Sequence, residues 1–187
     1  MTCIVALIKD GDVYIGGDSA GTDSSFGQSI RADAKVFENG PFIMGFTSSF
    51  RMGQLLRFSL SVPEQTSKQE DYEFMCTTFI NAVRETLEEG GFLKNVNGVE
   101  RGGVFIVGYN GAIYVIEGDL QVGIPTQPFT AVGSGAEVAL GALEILTRTE
   151  LSPKEMVTKA LEASVAHNAS VRPPFVILFD GINLKAE

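Results

Sequence analysis

Thr2 is the first residue in this sequence whose type and position could do chemistry. Removal of Met1 would leave it with a free α-amine beside its own hydroxyl, so that one residue carries both a nucleophile and a base. An ordinary α-amine has a pKa of about 7.7–8.0, close to working pH, as a general base requires. The residues behind it, Cys3-Ile4-Val5-Ala6-Leu7, are apolar and would hold the reactive end in a strand. His167 is the single histidine, so any Ser-His-Asp or Cys-His scheme would have to use it, and a multi-histidine metal site within the chain is excluded. Cys3 and Cys76 form no CxxC pair, which argues against a disulfide framework or a structural zinc. Both read as core residues, with Cys3 on the strand face opposite Thr2. No metal and no cofactor is expected.

The elements that must position Thr2 follow from periodicity. Residues 2–9 form a β-branched strand, Asp10-Gly11-Asp12 a hairpin turn, and residues 13–17 the return strand. Residues 18–28, rich in Gly, Ser and Asp, read as a loop of functional length. A second hairpin pairs residues 34–38 with 42–46 around Asn39-Gly40. Residues 47–49 then cap a helix over about 50–60. A polar loop, 61–70, leads to a helix from Asp71 that carries an apolar stripe and ends at Gly90-Gly91. After a loop through residues 95–98, residues 103–109 and 112–117 make a third hairpin, and 120–123 and 129–132 are short strands. Gly133-Ser134-Gly135 opens a helix to about Arg148. Ser152-Pro153-Lys154-Glu155 is a capping box with proline at the first helical position. Pro173-Pro174 breaks the chain before residues 175–179, which read as a fully buried strand, and a short polar tail closes the sequence.

Strand blocks and helix blocks alternate in pairs. This excludes a strict βαβα order and points to an α+β fold, a four-layer α-β-β-α sandwich of two antiparallel sheets. With 187 residues and no composition break, the chain reads as one domain over 1–187. A net charge of -9 argues against non-specific binding to nucleic acid or an anionic membrane. The absence of a basic start followed by an apolar segment, and of any long apolar run, points to a cytoplasmic protein with no membrane span.

Several stretches together carry a resemblance: T-C-I-V-A-L behind Met1, G-G-D-S-A-G-T at residues 16–22, K-V-F followed by P-F-I-M-G-F over residues 35–46, and G-S-G at 133–135. The chain resembles the N-terminal-nucleophile (Ntn) hydrolases, specifically proteasome β-type subunits and their simpler bacterial ring-peptidase relatives. The resemblance implies the same four-layer fold and a threonine-type peptidase acting on peptides or proteins. It also implies a homo-oligomeric ring, fed by a separate ATP-driven unfoldase, since this chain has no P-loop of its own. Residue by residue it makes Thr2 the nucleophile, Lys35 the lysine beside it and Asp18 the acid that orients that lysine. Gly45 becomes the oxyanion glycine, Thr22 a position whose backbone pairs with an extended substrate, and Ser134 and Ser170 the serines near the amine; Thr47 is read separately as a substrate-binding residue of the pocket wall. The pattern departs at His167, where many family members carry an acid three positions before the serine that matches Ser170. Each residue also has a plainer reading. Asp18 suits an Asx-turn, Gly45 a bulge, and Ser134 with Glu137 a helix-capping box. The alternatives to a peptidase are a catalytically inactive assembly or scaffold protein of the same fold and an Ntn amidase acting on a small amide.

Overall fold

A computed structural model describes residues 2–23, 25 and 27–180. The removal of Met1, loop positions 24 and 26, and the polar tail lie outside the described residues.

Strand β1 (Ile4–Lys9) is the middle of the design. Its side chains alternate: Ile4 and Ala6 enter one buried cluster, Cys3, Val5 and Leu7 another. Both faces are apolar because both are covered. Strand β2 (Asp12–Gly17) returns from β1 through Asp10 and Gly11, whose φ values of 56° and 90° match the twist of a tight hairpin. With β12 (Phe129–Val132) and β13 (Val176–Asp180) they form a sheet of order β12-β1-β2-β13.

The second sheet has order β11-β10-β9-β6-β5. Its strands are β5 (Val36–Asn39), β6 (Phe42–Phe46), β9 (Phe105–Tyr109), β10 (Ala112–Ile116) and β11 (Val122–Gly123), all pairing antiparallel. Between the sheets lie Ile4, Ala6, Val13, Ile15, Val36, Ile43, Ile106 and Ile113, a layer of mostly β-branched residues. The outer face of the second sheet carries Phe37, Phe42, Met44 and Phe46 against α1 (Phe50–Phe58) and the long helix that follows. That helix runs through α2 (Asp71–Phe74), a π-helical turn at Met75–Phe79, and α3 (Ile80–Glu89). On the far side, α4 (Ala136–Leu146) and α5 (Pro153–His167) cover Cys3, Val5 and Leu7. The layer order is α-β-β-α, as the alternation of element pairs predicts.

Three local readings are corrected. The 18–28 stretch is not only loop: β3 (Ala20–Thr22) pairs with β4 (Gln28–Ile30). The 95–98 loop is the tip of an exposed ribbon, β7 (Lys94–Val96) with β8 (Val99–Arg101), turning at Asn97-Gly98. The apolar run 175–179 is not a fully buried strand. It lies at a sheet edge, bonded to β2 alone, and Phe179 is 59% exposed while its ring stacks on Tyr14.

Where the sheets come closest, side chains give way to glycine. A Cβ at Gly45 would lie 2.5 Å from Ile4 Cγ2 and 2.9 Å from Ile15 Cγ2. Gly45→Ala is expected to destabilise the fold by about 1–3 kcal/mol through overpacking. A lowered urea midpoint with unchanged m-value checks this; an unshifted midpoint would mean that the sheets part at no cost.

Candidate active site

The chain leaves β2 at Gly17 and delivers Asp18; Lys35 arrives immediately before β5. The two meet in the interior. Lys35 Nζ lies 2.7 Å from Asp18 Oδ1, with side-chain exposures of 1% and 0%. Burial pushes the Lys35 pKa down, and the Asp18 charge and hydrogen bond pull it back up. Asp18 is held from other sides as well. Its Oδ1 accepts from the Cys3 amide at 3.0 Å, and its Oδ2 from the Ala20 and Arg172 amides at 3.0 and 3.2 Å. A dry carboxylate needs such partners, because an unpaired buried charge costs several kcal/mol. The Cys3 bond places the ion pair one residue from Thr2.

Thr2 is itself buried, and the G-S-G turn closes over it. Its backbone nitrogen donates to Ser134 Oγ at 3.2 Å, and the same hydroxyl donates back to the Thr2 carbonyl at 3.3 Å. The Gly135 amide also reaches the Thr2 carbonyl, at 3.3 Å. Gly133 has φ +99°, and a Cβ there would sit 2.3 Å from the Thr2 carbonyl oxygen, so glycine is required twice over. The capping-box reading of Ser134 is therefore corrected. The N-cap of α4 is Gly135, with no side-chain cap bond, and the Ser134 hydroxyl is turned to Thr2 instead.

Ser170 is buried in the turn after α5, and its amide donates to Asn168 Oδ1 at 2.9 Å. Asn168 Nδ2 in turn donates to the Ser134 carbonyl at 2.6 Å. The two serines that the resemblance singles out are thus bridged by a residue that sequence reasoning passed over. His167, at the departing position, is an exposed last residue of α5. The Asn-x-Ser spacing signals the local Asx-turn; nothing local signals the contact with Ser134.

No protein-family profile matches the chain. Two curated relatives, each named ATP-dependent protease subunit HslV, align over nearly the whole length. The one from Caldicellulosiruptor saccharolyticus is 29% identical over 169 residues, covering 88% of this chain and 90% of its own. The one from Aquifex aeolicus is 28% identical over 168 residues, covering 86% and 87%. Among solved structures, Thiobacillus denitrificans BPH in complex with epoxomicin superimposes with a TM-score of 0.78 at 20% identity, covering 95% of this chain and 97% of its own. Trypanosoma brucei HslV superimposes with a TM-score of 0.65 at 18% identity, covering 95% and 98%. The chain has the fold of these proteasome-like Ntn hydrolases and is similar in sequence to the HslV subunits along nearly its whole length.

In this Ntn-hydrolase fold the remaining sequence candidates fall into two groups. Gly45 sits in β6 between Val36 and Ile106, and packing between the sheets accounts for its missing side chain. Thr47 is buried at the end of β6; its hydroxyl and its amide both donate to the Val104 carbonyl, at 2.9 and 3.0 Å. Its methyl lies 3.2 Å from where a Gly133 Cβ would stand, which places it beside the turn over Thr2. Thr22 lies apart from these, on β3, in the wall of a cleft of about 330 Å³ that Arg31 and Phe50 also line. Thr22 Oγ1 is buried and has no hydrogen-bond partner among the described residues. The Phe50 ring links cleft and ion pair: its centroid is 3.8 Å from the Arg31 guanidinium and 5.8 Å from Lys35 Nζ. Arg31 is paired with Asp33, but both side chains are more than a third exposed, so the pair adds little stability.

Cys3 packs as a core residue. It is fully buried, its Sγ lies 3.5 Å from Ser164 Oγ, and burial pushes its pKa up to about 11. Alkylation of the native protein near neutral pH is expected to modify Cys76, which is only partly buried, and to spare Cys3 until denaturant is added. Peptide mapping reads this directly; rapid native labelling of Cys3 would contradict the burial.

A second prediction concerns the ion pair. Asp18→Asn keeps the volume but leaves the Lys35 ammonium without its counter-charge. Breaking a buried pair from one side costs about 3–5 kcal/mol, and the double change Asp18→Asn with Lys35→Met should recover part of it. Urea unfolding of the double-mutant cycle measures the coupling. Additive losses would mean that the two charges do not support each other.

Proposed function

We propose that this chain is a threonine-type N-terminal-nucleophile peptidase, with Thr2 as nucleophile once Met1 is removed. The observation that carries the proposal is the buried Asp18–Lys35 pair bonded through Asp18 to the Cys3 amide, with Ser134 Oγ against the Thr2 nitrogen on the other side. A structural role alone gives little reason to bury a lysine one residue from the start of a strand. Next to a threonine hydroxyl, a fixed ammonium favours the alkoxide that forms during attack and lowers the pKa of the neighbouring amine.

The steps follow from these atoms. The Thr2 hydroxyl oxygen attacks the peptide carbonyl while its proton passes to the Thr2 α-amine, directly or through a water. The carbonyl oxygen becomes an oxyanion, with the Gly45 N–H as the proposed donor; the amides of Phe46 and Thr47 are already given to the Lys35 and Val104 carbonyls. Collapse breaks the C–N bond, and the leaving amine departs with the proton from the α-amine. The acyl group remains as an ester on Thr2 Oγ. Water, activated by the same amine, then hydrolyses the ester and restores the hydroxyl. If Met1 stays attached, the Thr2 nitrogen is an amide and cannot act as a base.

Within this reading Ser134 and Ser170 position the amine, and β3, with Thr22, offers backbone and the Thr22 hydroxyl to an extended peptide lying in the adjoining cleft. The relatives' name, an ATP-dependent protease subunit, supports assembly into a homo-oligomeric ring served by a separate ATP-driven unfoldase. Among the described residues no helix is long and apolar enough to cross a membrane, and a cytoplasmic setting is proposed with it.

The test is turnover of fluorogenic peptides by protein whose intact mass shows loss of Met1. Thr2→Ala should abolish hydrolysis while leaving the thermal midpoint within a few degrees of wild type. Equal hydrolysis by wild type and Thr2→Ala would defeat the proposal. Inert wild type with a free Thr2 amine would favour the assembly-protein alternative.

A further inference from the structure

The turn that follows α5 touches each part of the site. The Asn168 backbone caps the helix, its amide donating to the Ser164 carbonyl at 2.8 Å. Its side chain leaves the helix end and spans to the G-S-G turn, as described above. The Ala169 carbonyl accepts from Gln28 Nε2 of β4 at 2.8 Å, so the ribbon that walls the cleft is tied to the same turn. Arg172 Nη1 bonds the Val171 carbonyl at 2.7 Å and the Asn168 carbonyl at 3.4 Å, while the Arg172 amide meets Asp18. Residues 168–172 therefore reach the Thr2 end, the ion pair and the cleft at once.

We propose that Asn168 is a positioning residue for Thr2: by donating to the Ser134 carbonyl and accepting from the Ser170 amide, it fixes Ser134 Oγ against the Thr2 nitrogen. The inference rests on the peptidase reading of Thr2 and adds to it a residue that the resemblance does not assign. The Ser134 carbonyl needs a donor and the Ser170 amide needs an acceptor. A side-chain amide supplies both on one short stem, whereas a carboxylate supplies only acceptors. The partners also settle which end of the amide is which, because the Ser134 carbonyl can only accept and the Ser170 N–H can only donate. Ser134 needs this support because no helix cap holds it: Gly135 is the N-cap of α4 and the Ser134 hydroxyl is committed to Thr2.

One residue before Asn168, where many family members carry an acid, this chain has an exposed histidine. Here the bridge is made by the side chain after it, and that side chain is neutral. Arg172 reaches the Asn168 carbonyl through Nη1, and a new negative charge on the side chain of residue 168 would face the Ser134 carbonyl oxygen with nothing to donate to it.

The test compares wild type, Asn168→Asp and Asn168→Ala in inactivation by a peptide epoxyketone, followed by intact mass. Asn168→Asp is isosteric and still accepts from the Ser170 amide, so the turn and the thermal midpoint should persist. The lost donor and the repulsion at Ser134 should lower kinact by about ten- to a hundredfold, the scale on which small misplacements act, with KI unchanged. Asn168→Ala should lose kinact similarly. A purely structural residue would tolerate aspartate, so equal kinact in wild type and Asn168→Asp, whatever happens to KI, overturns the inference. Failure of the wild type to label at all defeats the peptidase reading instead, and the two failures are thereby distinguished.

Discussion

The ion pair between Lys35 and Asp18 is the constraint on which the site depends. Both groups are removed from water, so neither tolerates the loss of the other. Asp18 gathers donors from four places in the chain: the Lys35 ammonium and the amides of Cys3, Ala20 and Arg172. These mark the start of β1, the start of β3, the approach to β5 and the segment between α5 and β13. One carboxylate thus sets where four segments converge, and Thr2 is carried along as the neighbour of Cys3. A polar centre of this kind is costly to build in an apolar sandwich, and its cost is met only when all the donors are in place.

The opposite side of Thr2 is built from neutral groups. Ser134 Oγ bonds both the nitrogen and the carbonyl of Thr2, and the glycines on either side let the turn come close. Thr2 therefore lies between a fixed charge pair, reached through Cys3, and a hydroxyl at its nitrogen. On the proposed reading, loss of Met1 would leave an amine whose lone pair is directed by Ser134 and whose protonation the nearby cation disfavours. The sheets supply the rigidity. Glycine at residue 45 lets them close to interior packing against Ile4, Ile15 and Val36.

Much of this frame was legible in the sequence for identifiable reasons. Strand β1 announces itself by β-branched residues, its hairpin by Asp10-Gly11, and α5 by a capping box that the structure reproduces bond for bond. The four layers followed from the order of elements. The pairing of Asp18 with Lys35 was expected only through the resemblance, because a separation of 17 residues carries no local signal. What escaped has a common cause. The β3–β4 ribbon is only three residues a side, Ala20-Gly21-Thr22 against Gln28-Ser29-Ile30, too short and too rich in Gly and Ser to stand out from the loop around it. Residues 175–179 are as apolar as a central strand, yet sheet order, which no single segment encodes, puts β13 at an edge. Ser134 fits a capping pattern, but a competing partner lies 132 residues away. Asn168 was missed for the same reason: its local Asx-turn is visible and its reach to Ser134 is not.

The central claim is that the hydroxyl and α-amine of Thr2 act as one reactive unit. A peptide epoxyketone tests this most directly, because its ketone suits a hydroxyl and its epoxide an adjacent amine, so stable capture needs both on one residue. Peptide-level mass spectrometry after incubation should show a chain that begins at Thr2 and carries the inhibitor on that residue. Protein that has lost Met1 but carries no adduct on Thr2, or carries it on Cys76, would contradict the account.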